Sequence, residues 1–159
     1  MRAASGGVVD ASRGSWLREP CSLTQVCAVV DHTTPPEIVK ALCDRFGSAP
    51  QVCVLELHDA AQLHAQWLAS FSTPSTLSTL STDATRSPTD ADRLLAPLPP
   101  ACVLALCSQE VGKLDWLGSV TGRPCKPIAL DAGVQAEAVL EAVGAVWMEA
   151  LNAQFGGER

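Results

Sequence analysis

Apolar residues in this chain alternate between two textures. Val26-Cys27-Ala28-Val29-Val30 is an unbroken apolar run of strand length, closed by Asp31-His32-Thr33-Thr34 and Pro35-Pro36. A run without a polar break predicts a strand buried on both faces, and the turn residues after it predict a helix start with Thr34 or Pro35 in the cap region. Ile38, Val39, Leu42 and Phe46 then recur at helical spacing, with Glu37, Lys40 and Asp44 on the other side and Gly47 as the stop. The unit repeats. Val52-Cys53-Val54-Leu55-Glu56-Leu57 reads as a second strand, and Leu63, Trp67, Leu68 and Phe71 mark one face of a helix from Ala60 to Phe71.

The texture changes at residue 72. Between 72 and 89, eleven of eighteen positions are Ser or Thr and only Leu77 and Leu80 could anchor anything, so residues 72–93 are expected to form a disordered low-complexity insertion that divides the fold without dividing the domain. Beyond it, Ala101 to Cys107 is apolar throughout, and its period cannot decide between a buried strand and the start of a buried helix. A helix is expected from Glu110 towards Gly122, carrying Val111, Leu114, Trp116, Leu117 and Val120. Lys126-Pro127-Ile128-Ala129-Leu130 reads as a short strand ending at Asp131. Val139, Val143, Val146, Trp147 and Leu151 line one face of a last helix over 134–154. Residues 1–22, rich in Gly, Ser and Arg around Trp16, are expected to be a flexible N-terminus, and 155–159 a flexible tail. Strand–helix alternation of this kind predicts one α/β domain over 23–154, with a mostly parallel sheet flanked by helices.

Composition narrows the function classes. A 159-residue chain that is 47% hydrophobic can bury roughly two-thirds of its unfolded surface and needs neither disulfide nor metal to hold a core. With 17 Asp+Glu against 11 Lys+Arg, a net charge of −6 argues against a broad electrostatic grip on nucleic acid or anionic lipid. Aromatic residues make up 4% and Tyr is absent, which leaves little for base stacking. The seven cysteines are an odd number with no secretory signal ahead of them, so a reducing compartment is expected, and Cys27, Cys53, Cys102 and Cys107 lie in apolar runs as small buried hydrophobes. No run approaches the roughly 18 apolar residues that cross a bilayer, so a soluble protein without membrane contact is expected.

Candidate chemistry belongs at the carboxyl ends of the strands, where sheets of this class bind ligands: Asp31-His32, His58-Asp59 and Asp131. Each has a bland alternative as a polar strand terminus, and adjacent side chains such as Asp31 and His32 diverge. The first turn has no glycine cradle for a pyrophosphate. Gly112-Lys113 runs into Leu114 instead of Ser or Thr, and Ser108 lacks the flanking glycines of a nucleophile elbow. Neither Cys21 with Cys27 nor Cys102 with Cys107 has zinc-knuckle spacing, and His58 and His64 are six apart where helical metal pairs are three or four apart. Cys43 and Cys53 would need a neighbouring His to act as nucleophiles, and nothing in the sequence supplies one. Trp67, Trp116 and Trp147 would suit an interface, but on helical faces they suit the core better. No catalytic, cofactor-binding or metal residue is assigned, no cofactor is expected, and the residues that would bind a partner are not legible.

Two stretches carry a resemblance. Phe46-Gly47-Ser48-Ala49-Pro50-Gln51-Val52-Cys53-Val54-Leu55 resembles the helix end, Phe-Gly-Ser turn and following strand of the proteasome assembly chaperone family, in particular the first member of its heterodimeric pair. Leu98-Pro99-Pro100-Ala101-Cys102-Val103-Leu104 resembles the Leu-Pro-Ala-led helix before a later family strand, with Lys126 to Asp131 as that strand and 134–151 as the terminal helix. Leu106-Cys107, Glu110-Val111 and Lys113-Leu114-Asp115 are also similar to the family's segment after that strand, so two registers stand open. The resemblance spans roughly residues 26–151. The family's hydrophobic-Tyr-any-residue tail has no counterpart in Phe155-Gly156-Gly157-Glu158-Arg159. What the resemblance implies is a non-catalytic α/β chaperone of the cytoplasm and nucleus that pairs with a second chaperone and promotes assembly of proteasome α subunits. The competing expectations are a small-molecule or nucleotide-binding α/β enzyme with a degenerate site, resting on Asp31, Asp59 and Asp131, and a pseudo-GTPase adaptor.

Overall fold

The computed structural model describes residues 13–71, 88–110, 112–131 and 133–156. Five strands form one mixed sheet in the order β1-β3-β2-β4-β5. β2 (Val26–Asp31), β3 (Val52–Leu57), β4 (Val103–Ser108) and β5 (Cys125–Ala129) run parallel, and β1 (Gly14–Arg18) pairs antiparallel with β3 at one edge. Helices α1 (Pro36–Arg45) and α5 (Ala136–Gly156) cover one face; α2 (Ala60–Phe71), α3 (Asp90–Leu95) and α4 (Leu117–Thr121) cover the other. This is the expected α/β architecture.

The unbroken apolar runs are explained by the two cores. In β2, Val26, Ala28 and Val30 face α1 and α5, whereas Cys27 and Val29 face α2 to α4; β3 divides Val52 and Val54 from Cys53, Leu55 and Leu57 in the same way. Strands with period-2 side chains and an apolar layer on each face leave polar residues only near their carboxyl ends, here Asp31 and Glu56. On α1, Pro36 starts the helix where a missing N–H costs nothing, and Ile38 and Leu42 turn inward. Arg45 reaches Glu137 of α5 at 3.7 Å, and Phe46 meets Trp147 edge-on with ring centroids 6.4 Å apart.

Several boundaries differ from the sequence reading. The ordered chain was expected to begin near Leu23, yet Gly14–Arg18 is a strand. Trp16 packs against the core and Arg18 Nε donates to Val52 O at 3.1 Å, so one aromatic and one guanidinium hold an edge that has no apolar alternation of its own. The ambiguous apolar run resolves as strand β4 from Val103 onward, with turn before it, which also removes the helix that one register of the resemblance implied over Leu98 to Leu104. The helix expected from Glu110 shrinks to Leu117–Thr121, because Gly112 at φ 88° breaks the chain into turns, while Leu114 and Trp116 are still buried. Phe155 and Gly156 extend α5 rather than forming a tail.

Most of the expected insertion, residues 72–87, lies outside the described residues, as do 1–12 and 157–159. Its last part does not fit that expectation, since Asp90–Leu95 is helical and Ala91, Leu94 and Leu95 are core residues. A capping box explains the start: Asp92 N donates to Thr89 Oγ1 at 3.4 Å, and Thr89 N donates to Asp92 Oδ2 at 2.7 Å. Thr89→Ala is expected to lower stability by about 1 kcal/mol in urea unfolding, with Thr89→Ser close to wild type. Equal stability of all three would mean that packing alone fixes α3.

Candidate functional site

The chain after β2 passes through α1 to β3, and the chain after β4 passes through α4 to β5, on the opposite side of the sheet. The carboxyl ends of β2 and β4 therefore flank the topological switch point, the place where open α/β sheets take their ligands. Asp31 and Ser108 end these strands.

Asp31 is 1% exposed, and its carboxylate is satisfied by its own chain. Oδ1 accepts from Thr33 N at 2.9 Å, from Thr33 Oγ1 at 2.5 Å and from Thr34 Oγ1 at 3.4 Å. Oδ2 accepts from Ser108 Oγ at 3.2 Å, and the same hydroxyl accepts from Glu110 N at 3.2 Å. Gln109 Nε2 closes the outside by donating to Thr33 O at 3.1 Å. An Asp followed by two threonines forms a local turn through its side chain, and the strand order sets Ser108 against it. The pocket between β4 and β5 beside Ser108 holds only about 10 Å³. His32, the sequence neighbour of Asp31, is exposed, so the two do not form an acid/base pair.

A phosphate fits this end poorly. The helix that would receive it begins Pro35-Pro36, two residues without an N–H, and has no side-chain cap; its first turn carries Glu37, which repels an anion. The other strand-end acids do not converge. Asp59 Oδ1 accepts from Gln62 N at 3.1 Å and so caps the start of α2, while Asp131 is exposed beyond β5. β3 and β5 stand three strand spacings apart, about 14 Å.

One constellation escaped the sequence reading. Pairing of β1 with β3 sets Ser15 opposite Glu56, and His58 Nε2 lies 3.4 Å from Ser15 Oγ and 3.4 Å from Glu56 Oε1. A nucleophile relay needs base and acid on different ring nitrogens, and these two partners address the same one. The signal for it was the alternation Glu56-x-His58, but the partner strand could not be read from sequence.

The thiols are placed to pack. Cys27 and Cys53 face each other in register across β2 and β3. Burial, reinforced by the Cys53 thiol, pushes Cys27 well up, and burial pushes Cys102 and Cys107 up to about 12. Burial also raises Cys43, the other thiol considered as a nucleophile. Thiols raised by burial are poor nucleophiles at neutral pH. Among the described residues, no group of three or more His, Cys, Asp or Glu could hold a metal ion, and no helix is long and apolar enough to cross a membrane. Trp67 and Trp116 are core residues with ring centroids 5.6 Å apart, and Trp147 on α5 is half-buried against Phe46 and Gln25. In comparisons with known proteins, the chain matches no family model, no curated protein and no solved structure.

Proposed function

We propose that this chain is a non-catalytic scaffold that works by binding other proteins and, on its resemblance, an assembly chaperone that joins a partner chaperone in promoting assembly of the proteasome α-ring. The observation that carries the reading is the filled switch point: Asp31, Thr33, Thr34 and Ser108 satisfy one another where an enzyme of this architecture would receive its substrate. The two prolines in place of a phosphate loop favour a second reading, a pseudo-GTPase adaptor, which shares the non-catalytic scaffold and differs in partner.

Affinity purification of the tagged chain from its own cells, at low and moderate salt, separates these readings. Recovery of proteasome α subunits with one stoichiometric small partner is the expected result. Their absence, together with a monomer on gel filtration, would end the chaperone reading. In parallel, 1 mM Mg-ATP or Mg-GTP is expected to shift the thermal midpoint by less than about 1 °C, since a site of 10 µM affinity would add roughly 2.7 kcal/mol and several degrees. A shift of that size would favour a nucleotide-binding enzyme.

A further inference from the structure

A solvent-open cleft of about 470 Å³ lies at the amino-terminal ends of β2 and β4, at the opposite end of the sheet from the switch point. Its walls come from the loop with Leu23 and Gln25, the turn with Pro99 and Ala101, and the last turns of α5 at Ala153 and Gln154. The volume lies in the range of small-molecule sites, roughly 300–1,000 Å³. None of the lining residues is ionisable, in a chain that carries 11 Lys+Arg and 17 Asp+Glu. The neighbouring Arg123 guanidinium is committed to Leu98 O and Pro99 O, so a charged ligand would lose hydration there without gaining a free counter-charge, and the cleft selects for a neutral one.

Its polar groups are oriented. Trp147 Nε1 can only donate, and it donates to Gln25 Oε1 at 2.8 Å, which fixes the Gln25 amide with its nitrogen outward. That nitrogen donates to Gln154 Oε1 at 2.7 Å, so the oxygen of this cleft-lining side chain is engaged and its amide N–H groups remain as the donors it can offer a ligand. Leu23, 58% exposed, forms an apolar lip that a bound molecule would cover.

We infer that this cleft binds one uncharged, largely apolar small molecule that places a carbonyl- or ether-type oxygen against the Gln154 amide. Two naphthalene probes test it on the full chain: Prodan, a neutral ketone, and 1-anilinonaphthalene-8-sulfonate, an anion. Prodan is expected to bind saturably at one per chain with blue-shifted emission, and the anion at least tenfold more weakly. Ala153→Phe, which fills the cleft from α5, and Ala101→Phe, which fills it from the opposite wall, are each expected to weaken Prodan binding more than tenfold without moving the thermal midpoint. Gln154→Leu is expected to weaken it several-fold. Non-saturating Prodan binding, or binding unchanged in both phenylalanine variants, would overturn the site. Equal affinity for the anion would overturn its selection for neutral ligands, and an unaltered Gln154→Leu its recognition of an oxygen.

Discussion

Raising the pH from 9 to 11.5 is expected to unfold this protein, because its core holds thiols that cannot ionise while they stay buried. Cys102 and Cys107 are pushed from the ordinary 9.0 up to about 12 by burial, and Cys27 moves in the same direction for the same reason. Between the unfolded and folded values, the unfolded chain has released protons that the folded chain still holds, so stability must fall as pH rises. The contribution is fully present below about pH 8.5 and is lost as the pH climbs towards 12. Each thiol gives a slope of about 1.4 kcal/mol per pH unit, and three acting together give about 4. Against a total stability of about 5–10 kcal/mol, the lower part of the usual range, that places the transition near pH 10–11.5. The measurement is clean, since the four Trp report unfolding and the chain has no Tyr whose ionisation would interfere. Cys107→Ala should move the alkaline midpoint upward and reduce the slope by one thiol's share, at a cost near neutral pH of about 1 kcal/mol for the small cavity. A midpoint that ignores the loss of Cys107 and Cys102 in turn would show that the thiols do not govern alkaline unfolding.

The same burial made much of the fold legible. β2 and β3 could be read because both faces of each are covered, leaving apolar runs that admit few other assignments; α2 could be read from Leu63 and Trp67, although Leu68 and Phe71, expected on the same face, are half or more exposed. β4 is covered just as fully, but Ala101 to Cys107 is apolar at every position, so no period separated strand from helix. β1 was missed because an edge strand of five residues buries only Gly14 fully, leans Trp16 on the core and carries no alternation. The segment before α4 misled for the opposite reason: Leu114, Trp116 and Leu117 are core residues at helix-like spacing, yet Gly112 turns the backbone out of a helix. At the switch point, Asp31 was visible as a strand-end acid. Ser108 was not, since it lies 77 residues away and meets Asp31 only because β2 and β4 are neighbours in a strand order that alternation does not encode. The cleft depends on a contact between Gln25 and Gln154 across 129 residues and left no local trace.

Asp31→Ala is expected to cost about 3 kcal/mol, the largest loss from any one polar side chain at the switch point. Removing the carboxylate strands the Thr33 amide and the hydroxyls of Thr33, Thr34 and Ser108 in a place that is almost closed to water, where each lost charge-assisted bond is worth about 1.5–3 kcal/mol before relaxation. Asp31→Asn keeps the shape but points an NH2 at donors, and should fall about midway. Ser108→Ala should cost about 1 kcal/mol, and the double variant with Asp31→Ala should lose less than the sum, because the second change removes a hydroxyl already orphaned by the first. Chemical denaturation of the four proteins measures this, and the purification described above supplies the functional arm. If the cluster only closes the end of the sheet, Ser108→Ala keeps its partners at full yield. A variant that stays as stable as wild type but loses its partners would make this cluster the binding surface. An Asp31→Ala protein within 0.5 kcal/mol of wild type would mean that the network does not hold the switch point shut, and the case for a non-catalytic scaffold would lose the observation on which it rests.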